Sequence, residues 1–381
     1  MKILFLIYHG FSEYSGISKK IHSQIAGLRT CGHEVHVCSY LVNDNGHRVR
    51  MIDDEILQDF GTSRFASLKQ RACYGPIVNY VKNNCIEFVY CRSFHNANPF
   101  TIHLFKQLKE AGVKSVMEIP TYPYDSEYVG FSFLERFNLF IDKLFRKRLA
   151  HQMQAIVTFT NSETIFGQRT IQISNGLDFD QTPLKLAQKS DNPEINLIGV
   201  AEIHYWHGYD RLIAGLGEYY VQPHQREIFF HIVGDVGPSE MYNSIHAPGF
   251  HELIEKYGLQ KQVIFHGQMF GKELDDLFEK CDMAIGSLAR HRSGIDNIKT
   301  LKNREYAARG FNFIYSETDD DFEKMPYILK IPANETPVNI KEIIRFYEQA
   351  TTPPIEIRNS IKHLSWKEQM NIVLIKAAMF V

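Results

Sequence analysis

Apolar residues along this chain alternate between two spacings. Short runs, as in Ile3-Leu4-Phe5-Leu6-Ile7, give way to stretches where apolar positions recur every third or fourth residue. The first spacing is that of a buried strand and the second that of an amphipathic helix. On this basis strands are expected at 3–8, 34–39, 88–91, 115–118, 155–159 and 170–173, with helices at 16–30, 67–83, 98–111 and 131–152. The polar stretch 188–193 interrupts the series. It then restarts with strands at 195–200, 229–233, 263–267, 283–286 and 313–315, and a helix at 209–220. Alternation of this kind predicts an α/β architecture, here two Rossmann-like, doubly wound domains in tandem. The expected domains are 1–187 and 194–354, with an apolar helical tail, 355–381, returning to the first. Ligands are expected at the carboxyl ends of the strands and in the cleft between domains.

Composition narrows the class. The 381 residues are 44% hydrophobic and 23% charged, which excludes disordered, collagen-like and coiled-coil chains. The first apolar run is too short for a secretory leader and reads as a buried strand, and no stretch is long and apolar enough to span a bilayer. Six cysteines without a C-x-x-C pair, and 17 histidines without zinc-like spacing, point to reduced core thiols in a cytoplasmic protein and to no metal site. The D-x-D at Asp178–Asp180 lies near the linker rather than at the end of a strand of the second half, and Asp319-Asp320-Asp321 reads as a solvated loop. The net charge of −2 excludes wholesale nucleic-acid binding. It conceals an asymmetry: residues 1–190 carry 22 basic and 17 acidic side chains, residues 191–381 carry 20 and 27. The two halves are therefore expected to face different partners.

Several motifs follow one another in a telling order. Gly16 opens the first helix, and Gly32-His33-Glu34-Val35 turns into the second strand. Ile173-Ser174-Asn175-Gly176-Leu177-Asp178 precedes the linker, and Ile232-Val233-Gly234-Asp235 and Val263-Ile264-Phe265-His266-Gly267 end strands in the second half. Leu301-Lys302-Asn303-Arg304-Glu305-Tyr306-Ala307-Ala308-Arg309-Gly310 is the most specific segment. Together, over most of the chain, these resemble the GT-B glycosyltransferases, in particular the large retaining family (glycosyltransferase family 4-like) of bacterial glycan synthesis. The last segment resembles that family's K-x-x-E-Y-x-A-x-G donor motif. The resemblance implies two domains facing across a cleft, acceptor bound by the first and nucleotide-sugar donor by the second. It implies no cofactor, since the nucleotide-diphosphate sugar is a substrate.

At the donor site, Glu305 is the candidate for the ribose, because an ionised carboxylate can accept from both vicinal hydroxyls. It is expected at a helix start, where the dipole supports its charge. Lys302 and Arg292 are candidates for the diphosphate, with Arg290 and Arg304 as alternatives, since a fixed cation stabilises the departing phosphate. Two positions depart from the family. Asn297 stands where an acidic residue is common, with Asp296 beside it. Glu202 and His207 replace the usual basic pair, leaving His207, just before Gly208, to bind phosphate as a neutral donor or a cation. Base recognition is assigned to the loop 268–270, around Met269.

On the acceptor side, Gly16 permits close backbone approach in the loop that begins at Tyr14-Ser15. The segment 118–127 follows a strand and offers Tyr122, Tyr124, Asp125 and Glu127 as sugar-contacting groups, with Arg92 and His95 after another strand. Asp125, Glu127 and Asn297 are the catalytic candidates. A retaining enzyme needs no protein base, because the leaving phosphate can take the acceptor's proton, whereas an inverting one would use Asp125 or Glu127. In 131–152 an apolar stripe (Phe133, Phe137, Phe140, Ile141, Leu144 and Phe145) runs beside Arg136, Lys143, Arg146, Lys147 and Arg148. Such a stripe ordinarily packs into a core, and peripheral contact with anionic lipid at the inner face of the plasma membrane is the alternative.

The expected function is transfer of a sugar from a nucleotide-diphosphate sugar to a glycan or lipid-linked acceptor, without metal, in surface polysaccharide or glycoconjugate synthesis, with no nucleic-acid partner. Two alternatives stay open: a GT-B nucleotide-sugar epimerase or phosphorylase, and a catalytically degenerate partner subunit.

Overall fold

The structure is a computed structural model, and it describes residues 1–12, 16–93, 95, 97–125, 133–186, 193–238, 241, 248–295 and 297–380. The chain divides into two compact units, Met1–Gly176 with Leu364–Val381, and Leu177–His363.

The first unit holds a nine-stranded sheet. Its strands are β1 (Lys2–Leu6), β2 (Glu34–Val42), β3 (Arg48–Ile52), β4 (Glu55–Asp59), β5 (Phe88–Arg92), β6 (Lys114–Ile119), β7 (Ala155–Thr158), β8 (Thr164–Ile165) and β9 (Gln168–Gln172), in the order β4-β3-β2-β1-β5-β6-β7-β9-β8. The central six strands, β2 through β9, are parallel, and β3, β4 and β8 add antiparallel edges. β1 is apolar on both faces because both are covered. Ile3, Phe5 and Ile7 meet Ile21, Ile25 and Leu28 of helix Gly16–Thr30 and Trp366, Met370 and Val373 of helix Trp366–Met379. Leu4 and Leu6 meet Ile77, Val78, Leu104 and Phe105 on the opposite side.

The returning helix is capped by Ser365, whose Oγ accepts from the Glu368 N–H at 3.2 Å. Its tryptophan accounts for a glycine: a Cβ at Gly176 would lie 2.7 Å from Trp366 Cγ. The 355–381 segment is divided between the two units. Pro354–Ser360 belongs to the second unit, where Pro354 packs against Gly310, and Trp366–Met379 alone joins the first. The boundary also falls at Gly176 rather than at 187.

Two local expectations change. The helix expected at 67–83 is two, Ala66–Ala72 and Gly75–Asn83, because Pro76 can occupy a first helical turn but not an interior one. The β3–β4 hairpin carries polar residues that hide its pattern. Among them Arg50 is fully buried, donating to Tyr40 Oη, Gln58 Oε1 and the carbonyls of Gln70 and Cys73.

The second unit has six strands, β10 (Ile195–Val200), β11 (Ile228–Val233), β12 (Val263–Gly267), β13 (Met283–Ile285), β14 (Asn312–Tyr315) and β15 (Ile328–Lys330). Their order is β12-β11-β10-β13-β14-β15, all parallel. The winding reverses between β10 and β13. This places a topological switch point at their carboxyl ends, where open α/β sheets bind ligands.

Candidate functional site

Beyond β10 the chain enters a short 3-10 turn, Tyr205–His207, and then Gly208 at φ 64°, from which helix Tyr209–Tyr220 starts. Glycine is required there twice over. Its backbone is left-handed, and a Cβ would lie 2.7 Å from the Ala289 Cβ and 2.8 Å from its nitrogen. The loop after β10 thus sits directly on the segment after β13.

His207 is buried, and its Nδ1 accepts from the His204 N–H at 2.9 Å. The ring proton therefore belongs on Nε2. Burial, with Lys302 and Arg290 nearby, holds its pKa well below the ordinary value, so His207 is a neutral donor rather than a cation.

Lys302 lies in the first turn of helix Leu301–Ala308, whose N-cap Thr300 accepts from the Asn303 N–H. Its Nζ is shut off from solvent without a hydrogen-bond partner among the described residues. Burial draws this ammonium down, while the nearby Glu317 carboxylate opposes the shift. Glu317, just past β14, is buried too. Its Oε1 accepts from Asn303 Nδ2 at 3.3 Å, its Oε2 is unpartnered among the described residues, and burial raises its pKa. Glu317 lines a cleft of about 430 Å³ with His291, Ser316, Thr318, Lys330 and Pro332, all close to the carboxyl ends of β13, β14 and β15.

The other candidate cations are engaged. Arg292 donates to Asp210 at 2.9 and 2.8 Å, to Glu335 at 3.1, 3.1 and 2.5 Å, and to the Tyr205 carbonyl at 2.8 Å. A guanidinium has five N–H donors, and these bonds use them all. Arg292 is a clamp on the loop after β10 and has nothing left for a diphosphate, contrary to expectation. Arg304 is fully buried and forked onto Asp319 at 2.6 and 2.9 Å, with Asp321 as a further partner. Asp319 is therefore a core anion rather than part of a solvated loop. Arg290 remains near the site, its guanidinium 5.3 Å from the centroid of the Trp206 ring.

Glu305 falls in the second turn of its helix rather than at the start. Its Oε1 accepts from Arg309 Nε at 3.0 Å, and Oε2 has no partner among the described residues. Asn297 is exposed and bridges to Thr318. Met269 is half-buried in the turn between β12 and helix Gly271–Lys280. Asp296 lies outside the described residues.

In the first unit the candidates separate. Gly16 is exposed, with open space where a Cβ would stand. Arg92, at the end of β5, donates to the buried Glu118 at 2.7 Å. Glu118 also accepts from Gln24 at 2.6 Å and from Tyr90, and lies 3.5 Å from Lys20 Nζ. Despite burial, Lys20 and Arg92 hold its carboxyl below the usual range. Sequence alone does not mark this network, since Lys20 and Gln24 look like ordinary polar helix residues.

Tyr124 is a core residue rather than a sugar platform. His95 stacks on its ring at 3.8 Å between centroids, and its hydroxyl donates to Asp142 at 2.6 Å. Tyr122 is half-buried, its ring edge-on to Phe166. Asp125 is held by Arg146 at 2.7 Å and Lys143 at 3.2 Å, which lower its pKa, a poor setting for a general base. Glu127 lies outside the described residues, as do Tyr14 and Ser15. Helix Phe133–Ala150 corrects the core reading for part of its stripe: Phe137, Phe140 and Leu144 are 51–57% exposed, while Ile141 and Phe145 are half-buried and Phe145 packs on the core.

No protein-family model matches the chain, and no curated protein does. Solved structures do. A glycosyltransferase from Rickettsia africae superimposes with a TM-score of 0.62 at 13% identity, covering 100% of this chain and 98% of that one. The chain has the GT-B fold. A trehalose-6-phosphate synthase, OtsA, matches over 100% of both chains (TM-score 0.59, 11% identity). A Listeria monocytogenes protein proposed as a UDP-N-acetylglucosamine 2-epimerase matches over 99% and 97% (0.53, 9%). At such identities the likeness is one of fold, and the GT-B frame gives the switch point of the second unit its interest.

Proposed function

We propose that this GT-B chain is a glycosyltransferase that binds a nucleotide-diphosphate sugar in its second unit and a glycan or lipid-linked acceptor in its first. One observation carries the reading: the buried Lys302 Nζ, without a partner among the described residues, beside the neutral donor His207 at the switch point of the sheet. Such a site suits an anion with several oxygens, and a helix N-terminus beside it adds backbone donors. Glu305, with one free oxygen, is the ribose acceptor. Transfer with retention fits best, because the leaving diphosphate can take the acceptor's proton while Asp125 stays tied to Arg146 and Lys143. The acceptor is met at an anionic membrane surface through helix Phe133–Ala150. At 100° per residue, Phe137, Phe140 and Leu144 point opposite the buried Leu139, Asp142 and Leu149, with the exposed Arg136, Lys143, Lys147 and Arg148 alongside.

Calorimetric titration with UDP, GDP and ADP tests the donor reading. Binding of one of them is expected, weakened about 10- to 100-fold in Glu305→Ala, the range for a charged hydrogen bond. Absence of binding by all three, or binding indifferent to that substitution, defeats the assignment. Nucleotide release that requires an added acceptor separates a transferase from an epimerase, a reading favoured by the Listeria match.

A further inference from the structure

Among the buried polar atoms at the switch point with nothing bonded to them among the described residues are Lys302 Nζ and Glu317 Oε2, with His291 Nδ1 and the hydroxyls of Tyr209 and Tyr315 nearby. Buried polar atoms are almost always satisfied, so an orphaned pair of opposite type, close to a cleft of about 430 Å³ lined by Glu317, marks a place for ligand atoms. The two do not satisfy each other: no ion pair within 4.0 Å joins them.

The charged neighbours are mostly engaged, and Tyr209, Tyr306 and Tyr315, all held neutral by burial, face Glu317. Beyond β14, Asp319 is consumed by Arg304, which comes from the same helix as Lys302. Beyond β13, Arg290 contributes positive charge, and His291 is bonded to Glu335 at 2.7 Å. Beyond β10, His207 is neutral, with His204 behind it. Glu305, on the next turn of the helix, is engaged by Arg309.

We propose that the donor's diphosphate occupies the space over Lys302 and Glu317, and that its arrival brings one additional proton from solvent to this pair. The inference rests on the donor reading above. In the empty site the pair carries one proton in total, either as ammonium with carboxylate or as amine with carboxylic acid. A diphosphate cannot settle beside a buried carboxylate without strong like-charge repulsion. In the filled site the pair carries two protons: the Lys302 ammonium donates to one phosphoryl oxygen and the Glu317 carboxyl O–H to another. Burial raises the glutamate, which favours its protonated form, and lowers the lysine, which leaves the empty site short of the proton that the phosphate's charge then draws in.

The test is calorimetric titration of the full chain with UDP, GDP and ADP at slightly alkaline pH, in PIPES, HEPES and Tris, which differ in ionisation enthalpy. The dependence of the observed heat on the buffer should report uptake of about one proton per bound nucleotide, and affinity should fall up to about tenfold per pH unit as pH rises. Lys302→Met should show less uptake, because without the ammonium the Glu317 carboxyl rises further and the lysine's share of the proton is gone. Glu317→Gln should keep it. Heats independent of buffer in the unmodified protein, or uptake undiminished in Lys302→Met, overturn the inference. Binding without uptake leaves the donor reading standing, and no binding by any of the three nucleotides overturns both. Measurement on the unmodified protein decides the matter even if a variant fails to fold.

Discussion

Replacing Arg292 by methionine separates a structural cation from a phosphate ligand. The side chain is 4% exposed and spends all five donors on Asp210, Glu335 and the Tyr205 carbonyl. Methionine would retain much of the volume and leave the Asp210 carboxylate, 10% exposed, with its main partner gone. Breaking one side of a buried ion pair costs about 3–5 kcal/mol, mostly through the stranded charge. In a unit of this size that corresponds to a melting point lowered by roughly 6–20 °C. Because the guanidinium has no donor free for a phosphate, nucleotide affinity measured well below the melting point should change by less than about tenfold, through loosening of the Tyr205–Gly208 turn. Its dependence on ionic strength should be that of the unmodified protein, since no charge facing the ligand is lost. Asp210→Leu added to Arg292→Met should restore part of the stability, because the stranded carboxylate is removed. Scanning calorimetry and nucleotide titration at two salt concentrations read these outcomes. A variant that melts normally, yet binds nucleotide a hundredfold more weakly and with a flattened salt dependence, would refute the clamp and return Arg292 to the donor site.

Other outcomes follow from separate parts of the molecule. Gly176→Ala sets a Cβ 2.7 Å from Trp366 Cγ, so urea unfolding should show a loss of about 1–3 kcal/mol in the first unit, the usual cost of overpacking. Reversing Lys143, Lys147 and Arg148 should lower binding to phosphatidylserine vesicles by about a hundredfold or more, at about 1 kcal/mol per basic residue. Unchanged co-sedimentation would count against membrane contact through this helix. Hydrogen bonds from Arg292 hold the Glu335 carboxyl at about 2, below its usual value. A depressed carboxyl contributes stability in full above its unfolded pKa and loses it as pH falls through the folded one. The unmodified protein should therefore lose stability from near pH 4.5 toward pH 2 more steeply than Arg292→Met does.

The parts of this molecule that sequence makes legible are those whose cause is local. A strand buried on both faces must be apolar throughout, and β1 and β10 are recognisable for that reason. Gly208 could be singled out because a glycine between a polar aromatic turn and a helix start signals a left-handed backbone or a close approach, and here both occur, the second against Ala289. What stays hidden is the allocation of charge. Arg292, Arg304 and Lys302 are three cations within a short stretch and look equivalent along the chain. The carboxylates that claim Arg292 lie 82 positions upstream and 43 downstream, and those that claim Arg304 lie 15 and 17 positions on, past a strand. Only folding reveals that two of the three are neutralised and one is left without a partner among the described residues. The stripe of helix Phe133–Ala150 has the same limitation. Periodicity establishes that an apolar face exists, but whether that face is covered depends on elements elsewhere in the chain, and here Asp142 and Leu149 point inward while Phe137 and Phe140 do not. Glu317 was nonetheless within reach. A carboxylate two residues beyond a buried parallel strand sits where open α/β sheets bind their ligands, so its position, rather than any motif, was the available signal.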